Sequence, residues 1–201
     1  MVLWTIQPVE VWDELKNKGY FICDPAKSKY LSDEEWNFGT AYDWLVEQME
    51  SRIGGKPEDV NYPIWAWHIY DWKCQPDNFI DTDEKELVCL KIDIPEKDVL
   101  LHDYDAWHYV LSNVYFDNSK NEVEWKSSRE KFDSLSQSEQ EQVKRESWEA
   151  IFDITPFENK WCCRGKYVQA TFWILRRKDV VAVYPYPLNN KKGINVYERA
   201  C

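Results

Sequence analysis

Four polar residues in two otherwise apolar segments are the best candidates for chemistry in this chain. Thr5 and Gln7 lie near its start, and Gln169 and Thr171 lie near its end. A few hydroxyl and amide groups in apolar surroundings are typical of small-ligand pockets, where they orient the ligand. If the two segments are neighbouring strands of one sheet, the four side chains line one cleft. The alternative is that they lie on solvated strand faces.

The stretch at residues 61–72, NYPIWAWHIYDW, is the richest in aromatic rings. Pro63 disfavours a helix, and the residues that follow it favour an extended backbone. Both faces of this strand would be apolar or aromatic, as in a central strand that is covered on both sides. We therefore expect either the thickest part of the core or an aromatic wall beside a pocket, with Tyr62, Trp65 and Tyr70 as the stacking candidates.

The histidines and cysteines do not form a recognisable catalytic or metal-binding motif. His102 and His108 are six residues apart, which places them on different faces of a helix, so a shared metal is not expected. His68 lies in the aromatic stretch and is expected to be a hydrogen-bonded core residue. The six cysteines show no C-x-x-C spacing and are expected to be free thiols, and no metal site is predicted.

Composition excludes some classes of protein. The chain has 25 basic and 36 acidic side chains, and its net charge of -11 argues against general binding to nucleic-acid backbones. No apolar run approaches the roughly 20 residues of a membrane helix. The start has no basic segment before an apolar one, so we expect a cytoplasmic protein without a membrane partner.

Hydrophobic periodicity predicts a single α+β domain over residues 1–184, with a mixed, mostly antiparallel sheet and flanking helices, followed by a tail at 185–201. Alternating patterns predict strands at 2–7, 62–72, 87–94, 166–175 and 180–184. Helical spacing predicts helices at about 8–19, 33–53, 103–114 and from 136 onward, the second and last with capping boxes at their starts. Residues 117–136 are polar and weakly patterned, and 157–165 are expected to form a loop.

Six segments together resemble a known family. They are LWTIQP at 3–8, AYDWLVEQM at 41–49, YPIWAW at 62–67, DAWHYVLSN at 105–113, SWEAIFDI at 147–154 and VQATFW at 168–173. The chain is similar over these segments to the uncharacterised bacterial family called domain of unknown function 3841. The resemblance implies a bacterial cytoplasmic protein and no established activity.

A second resemblance concerns mechanism. A first strand with a polar residue, followed by a helix and Gly-Tyr, is similar to the opening of ADP-ribosyltransferases. This resemblance implies an ADP-ribosyltransferase-like fold with NAD as cofactor, Thr5 or Gln7 at the nicotinamide ribose, and Gln169 as the catalytic residue that orients the ribose. Thr171 stands where such enzymes carry a glutamate, and it lacks the charge that stabilises the transition state, so activity is expected to be reduced or absent.

Two functions therefore follow from the sequence. One is an NAD-binding, ADP-ribosyltransferase-like enzyme with an aromatic pocket. The alternative is a non-enzymatic module that binds a small molecule or a protein partner through the aromatic strand at 62–72, since aromatic clusters often mark recognition surfaces.

Overall fold

The computed structural model describes residues 1–27, 38–77 and 86–188. These ranges contain five α-helices and a six-stranded antiparallel sheet with helices on both faces. The helices are α1 (Val9–Lys18), α2 (Gly39–Ile53), α3 (Tyr104–Leu111), α4 (Glu122–Asp133) and α5 (Gln137–Ser147). The sheet strands are β1 (Val2–Pro8), β3 (Ile64–Ile69), β4 (Leu87–Asp93), β5 (Leu100–Asp103), β8 (Val168–Phe172) and β10 (Val180–Tyr186). Two short ladders pair β2 (Tyr20–Phe21) with β9 (Leu175–Arg176), and β6 (Phe157–Glu158) with β7 (Cys163–Arg164).

The sheet has the strand order β10-β4-β1-β3-β8-β5. The aromatic strand β3 therefore lies in the interior of the sheet, as its two apolar faces predict. Its register aligns Trp67 with Trp4 of β1 on one side and with Gln169 of β8 on the other. The α+β class and the mostly antiparallel sheet are confirmed.

One face of the sheet packs against α1. Val11, Trp12 and Leu15 of this helix are buried against strand residues that include Leu90 and Phe172. Complete burial of a side chain such as Leu15 contributes about 1.5–3 kcal/mol. The helix ends as predicted at residue 19, a glycine with φ 82°, whose N–H donates to the Leu15 carbonyl at 3.0 Å.

The opposite face of the sheet packs against α2, α3 and a 3₁₀ turn at Trp148–Phe152. The ring of Trp148 is 1% exposed and meets the ring of Trp44 edge to face, with centroids 5.5 Å apart. The Trp148 indole N–H donates to the Val114 carbonyl at 2.8 Å, so its polar tip is satisfied.

Several predicted boundaries differ from the structure. The third predicted helix is shorter, at Tyr104–Leu111, and the last strand continues to Tyr186 through pairing with β4. A helix, Glu122–Asp133, lies in the region that the sequence leaves unpatterned. The predicted start of the helix at 33–37 lies outside the described residues, as does the tail from 189 to 201.

Cys89 is buried, although strand alternation places it on the outer face of β4. This strand lies between β1 and β10, where Cys89 is aligned with Ile6 and Tyr184, so side chains of both neighbouring strands flank it on its own face of the sheet. Burial raises the pKa of the Cys89 thiol to about 12.

Among the described residues, no helix is long and apolar enough to cross a membrane.

Candidate functional site

Thr5 and Gln7 form a hydrogen-bonded pair on one face of the sheet. The Gln7 amide donates to the Thr5 hydroxyl at 2.7 Å, and that hydroxyl donates to the Trp65 carbonyl at 2.8 Å. Thr5 is completely buried. Gln7 and Trp65 also line a mostly apolar cavity of about 490 Å³ that continues to Asp24. Thr5 therefore ties β1 to β3, and Gln7 extends that contact toward the cavity.

Gln169 and Thr171 lie on the other face. Residues directly opposite each other in neighbouring strands share a face, and Gln169 is aligned with Trp67, which is itself aligned with Trp4 rather than Thr5. The Thr171 hydroxyl is buried and donates to the Leu100 carbonyl at 3.4 Å. Since β3 lies between β1 and β8, these two strands are not neighbours in the sheet. The four polar residues therefore do not line one shared cleft. The NAD-related roles of these residues stay predictions.

The three predicted stacking residues lie in two separate ring clusters. Tyr62 and Trp65 both contact the ring of Tyr42, with centroids 5.9 and 5.7 Å away. Tyr70 instead contacts Trp67 at 5.3 Å, toward the other end of the strand. The structure therefore does not bring all three into one stacking wall.

The aromatic segment is largely packed inside the protein. Trp67 is 9% exposed, whereas Trp72 at the end of the segment is 38% exposed. Trp72 lies in a turn with φ 64°, in the left-handed region that side chains rarely adopt. Strand β3 contributes to both cores, since Ile64 and Ala66 lie in the core beneath α1 and Trp65 packs against the other core. Capture of a partner through the aromatic strand stays a prediction.

His102 is the most unusual titratable residue of the core. It is 0% exposed, and neither ring nitrogen has a hydrogen-bond partner among the residues that the structure describes. Its ring lies 5.2 Å from Trp65 and 5.8 Å from Trp107, measured between centroids. Burial lowers the pKa of His102 to about 4, because the apolar surroundings disfavour the imidazolium. The ring is therefore neutral at physiological pH.

A cavity of about 460 Å³ lies between the start of α3, the segment that follows it, α4 and the β6–β7 hairpin. It combines carboxylates, guanidinium groups, thiols and aromatic rings. Its aromatic lining consists of Tyr109, Tyr115, Phe116, Trp125 and Trp161. None of these residues is among the candidates from the sequence, and Trp125 and Trp161 come from segments that the sequence presents as polar or as loop. The sequence signal that could have identified these two residues is a large aromatic side chain within a polar segment.

Trp125 and Trp161 stay partly open to solvent although their rings are neighbours. They are 41% and 43% exposed, and their ring centroids are 6.3 Å apart with planes inclined by 59°. One comes from α4 and the other from the β6–β7 hairpin. Two indole rings thus form adjacent, exposed parts of the cavity wall.

The hairpin is held in place by Asn159. Its side-chain oxygen accepts the N–H groups of Trp161 at 2.8 Å and Cys162 at 2.7 Å, and its amide donates to the Lys120 carbonyl at 3.0 Å. This residue both shapes the turn and ties it to the segment before α4. The position of Trp161 beside Trp125 follows from these bonds.

Asp103 also holds the hairpin in place, by joining the segment that follows it to the start of α3. One carboxylate oxygen caps α3 by accepting the Ala106 N–H at 2.9 Å, and the other accepts the Gly165 N–H at 2.7 Å. Burial raises the pKa of Asp103, and the two N–H donors act in the opposite direction. Gly165 has φ 74°, and a Cβ there would lie 2.6 Å from the Ile154 carbonyl oxygen, so the close approach requires glycine.

Asp117 is the other notable carboxylate of the lining. Its Oδ1 accepts the backbone N–H of Ser119 at 3.0 Å and also the Ser119 hydroxyl. Its Oδ2 is covered by protein atoms and has no hydrogen-bond partner in the described ranges. Since Asp117 is one of the lining residues, this carboxylate lies at the cavity wall.

The two arginines of the lining are already engaged with aspartates outside it. Arg164 forms an ion pair with Asp153, and its Nε donates to the Thr155 carbonyl at 2.9 Å. The Nε of Arg129 lies 3.7 Å from the carboxylate of Asp133. Each arginine of the lining thus has an aspartate partner outside the cavity, although the Arg129 pair is long and exposed to solvent.

The adjacent thiols of Cys162 and Cys163 also line the cavity. Burial raises the pKa of both thiols above the usual range. The reactive form of cysteine is the thiolate, so this environment does not favour a nucleophile at neutral pH. Within the described ranges, no three His, Cys, Asp or Glu residues are grouped as a metal site would require.

A family model described as Domain of unknown function (DUF3841) matches residues 2–181. No curated protein and no solved structure matches the chain. The expectation drawn from the six sequence segments is confirmed at the level of the family. The similarity to ADP-ribosyltransferases, the bacterial origin and the cytoplasmic location stay predictions.

Proposed function

The chain belongs to the DUF3841 family, a domain of unknown function, and we propose that it is a small-molecule-binding domain. The ligand occupies the cavity between α3, α4 and the β6–β7 hairpin. Its volume of about 460 Å³ is within the range of about 300–1,000 Å³ that is usual for ligand pockets.

The observation that carries this proposal is the exposed indole pair. Trp125 and Trp161 line one cavity, yet both remain about two-fifths exposed. Covering about 100 Å² of this apolar surface with a ligand would contribute roughly 2.5 kcal/mol toward binding. Rings held by a helix and by a clamped hairpin also need little reorganisation, which reduces the cost of association.

Binding without covalent chemistry is the simpler form of the proposal. The thiols of Cys162 and Cys163 are poor nucleophiles at neutral pH because burial raises their pKa. Asp103 is occupied with two backbone N–H groups and serves to hold the hairpin against α3. The two thiols and Asp103 thus help to form a rigid binding site and do not take part in covalent chemistry.

The test is a ligand-observed NMR screen against a panel of metabolite-sized neutral, cationic and anionic compounds, with NAD included. We expect at least one compound to bind the wild-type protein and to lose binding in Trp161→Ala. Trp72→Ala is the matched control, since Trp72 is similarly exposed, at 38%, but lies outside the cavity. If no compound binds, or if every hit binds Trp161→Ala equally well, the proposal is wrong.

A further inference from the structure

Carboxylates outnumber guanidinium groups in the cavity lining, which includes Asp103, Asp105 and Asp117 but only two arginines. Asp105 and Asp117 line it, and the covered Oδ2 of Asp117 has no hydrogen-bond donor among the described residues. The lining also includes Arg129 and Arg164, but each has an aspartate partner outside the cavity. The nearby Lys120 ammonium lies over the Phe157 ring, 5.4 Å from its centroid. A cation inside the cavity would therefore meet net attraction, and an anion would meet repulsion.

The indole pair indicates which kind of cation would fit the cavity. A cation is attracted to the face of an indole when it lies within about 6 Å of the ring centroid. The centroids of Trp125 and Trp161 are 6.3 Å apart, so a single position in the cavity can lie within about 6 Å of both centroids. Aromatic cages of this kind suit alkylated ammonium groups, which give up their hydration more readily than a free ammonium ion.

We propose that the ligand is a small organic cation with a methylated ammonium group. Trp125 and Trp161 form two walls of its cage, and Asp105 and Asp117 of the same cavity lining supply the opposing charge. This inference rests on the proposed function and adds the chemical class of the ligand to it.

The test compares two compounds of nearly the same shape by isothermal titration calorimetry. Choline carries a quaternary ammonium, and 3,3-dimethyl-1-butanol replaces its nitrogen with carbon. We expect saturable binding of choline, and at least about tenfold weaker binding of the neutral alcohol. Trp125→Ala, Trp161→Ala and Asp117→Asn should each weaken choline binding at least about fivefold.

Asp13→Asn is the matched control for charge. Asp13 is an exposed residue of α1 that pairs with Lys16, so its loss changes the net charge equally but leaves the cavity intact. This variant should bind choline as the wild type does. Because Asp117→Asn also alters contacts to Ser119, Asp105→Asn serves as a second variant, and thermal unfolding verifies that each protein is folded.

The possible results distinguish a wrong ligand class from a wrong proposed function. If choline does not bind, or binds no better than the alcohol, the cation inference is wrong. The same holds if both aspartate variants bind choline with unchanged affinity. If a neutral or anionic panel compound binds instead and requires Trp161, the cavity remains a binding site and only its ligand class is refuted.

Discussion

Acidification should destabilise the fold through His102. This ring is completely buried, it has no hydrogen-bond partner within the described part of the chain, and its pKa falls from 6.5 to about 4 in the folded protein. Between these two values the unfolded chain binds the proton and the folded protein does not. Stability therefore rises with pH across this window and is lost as pH falls through it.

The size of the effect follows from the shift. Each unit of pKa corresponds to about 1.4 kcal/mol, so the loss from His102 approaches roughly 3 kcal/mol at pH values below 4. At pH 5 it already amounts to about 2 kcal/mol. Domains are stable by only about 5–15 kcal/mol, so the effect is large enough to measure.

The assay is urea unfolding of the wild type and His102→Leu at several pH values from 7.5 to 4.5. Leucine is close to histidine in volume, does not titrate and leaves no polar atom unpaired in this aromatic site. Carboxylates titrate in both proteins, including the neighbouring Asp103, whose raised pKa acts in the opposite direction, so the difference between the two profiles isolates His102.

We expect His102→Leu to lose clearly less stability than the wild type as pH falls from 6.5 to 4.5. His108→Gln, at an exposed position, is the control and should follow the wild-type profile. Parallel profiles for the wild type and His102→Leu would refute a buried, neutral imidazole and the packing of Trp65 and Trp107 around it.

Four further substitutions at three positions test the packing of the fold, each by denaturant unfolding. Phe172→Ala should cost about 3–5 kcal/mol because this side chain is 1% exposed, and a loss below about 1 kcal/mol would contradict the placement of β8 in the core. Asp103→Ala should cost about 2–4 kcal/mol by removing the cap of α3 and leaving the Gly165 N–H unpaired, and Asp103→Asn should cost less because it retains one acceptor. Gly165→Ala should destabilise by at least about 1 kcal/mol because of its positive φ and its contact with Ile154, and unchanged stability would contradict that close approach.

Local patterns predicted the elements of the core well. The alternation of Val88, Leu90 and Ile92 identified β4, and these residues are buried as expected. The two apolar faces of β3 identified it as an interior strand. Such patterns report which side of an element is covered, because burial imposes a period on the sequence.

Local sequence patterns could not predict the order of the strands in the sheet. Thr5 and Gln169 look equivalent in sequence, but β3 lies between their strands and they face opposite sides of the sheet. Pairing between distant segments depends on the packing of the whole domain. A cleft assembled from two strands therefore could not be established from the strands alone.

The cavity escaped prediction for a related reason. Helix α4 has no buried residue, so it carries no hydrophobic period. Its start could have been found, since Asn121 followed by Glu124 is a capping pattern, and the structure has the Asn121 side chain accepting two helix N–H groups. The nearness of Trp125 to Trp161, however, depends on how the hairpin docks.

Titration of choline into the wild type and Trp161→Ala tests the proposed cation site most directly. We expect saturable binding to the wild type and at least about fivefold weaker binding to the variant, with both proteins equally folded. Equal affinities for the two proteins would contradict the assignment of the ligand to the cavity beside Trp125 and Trp161.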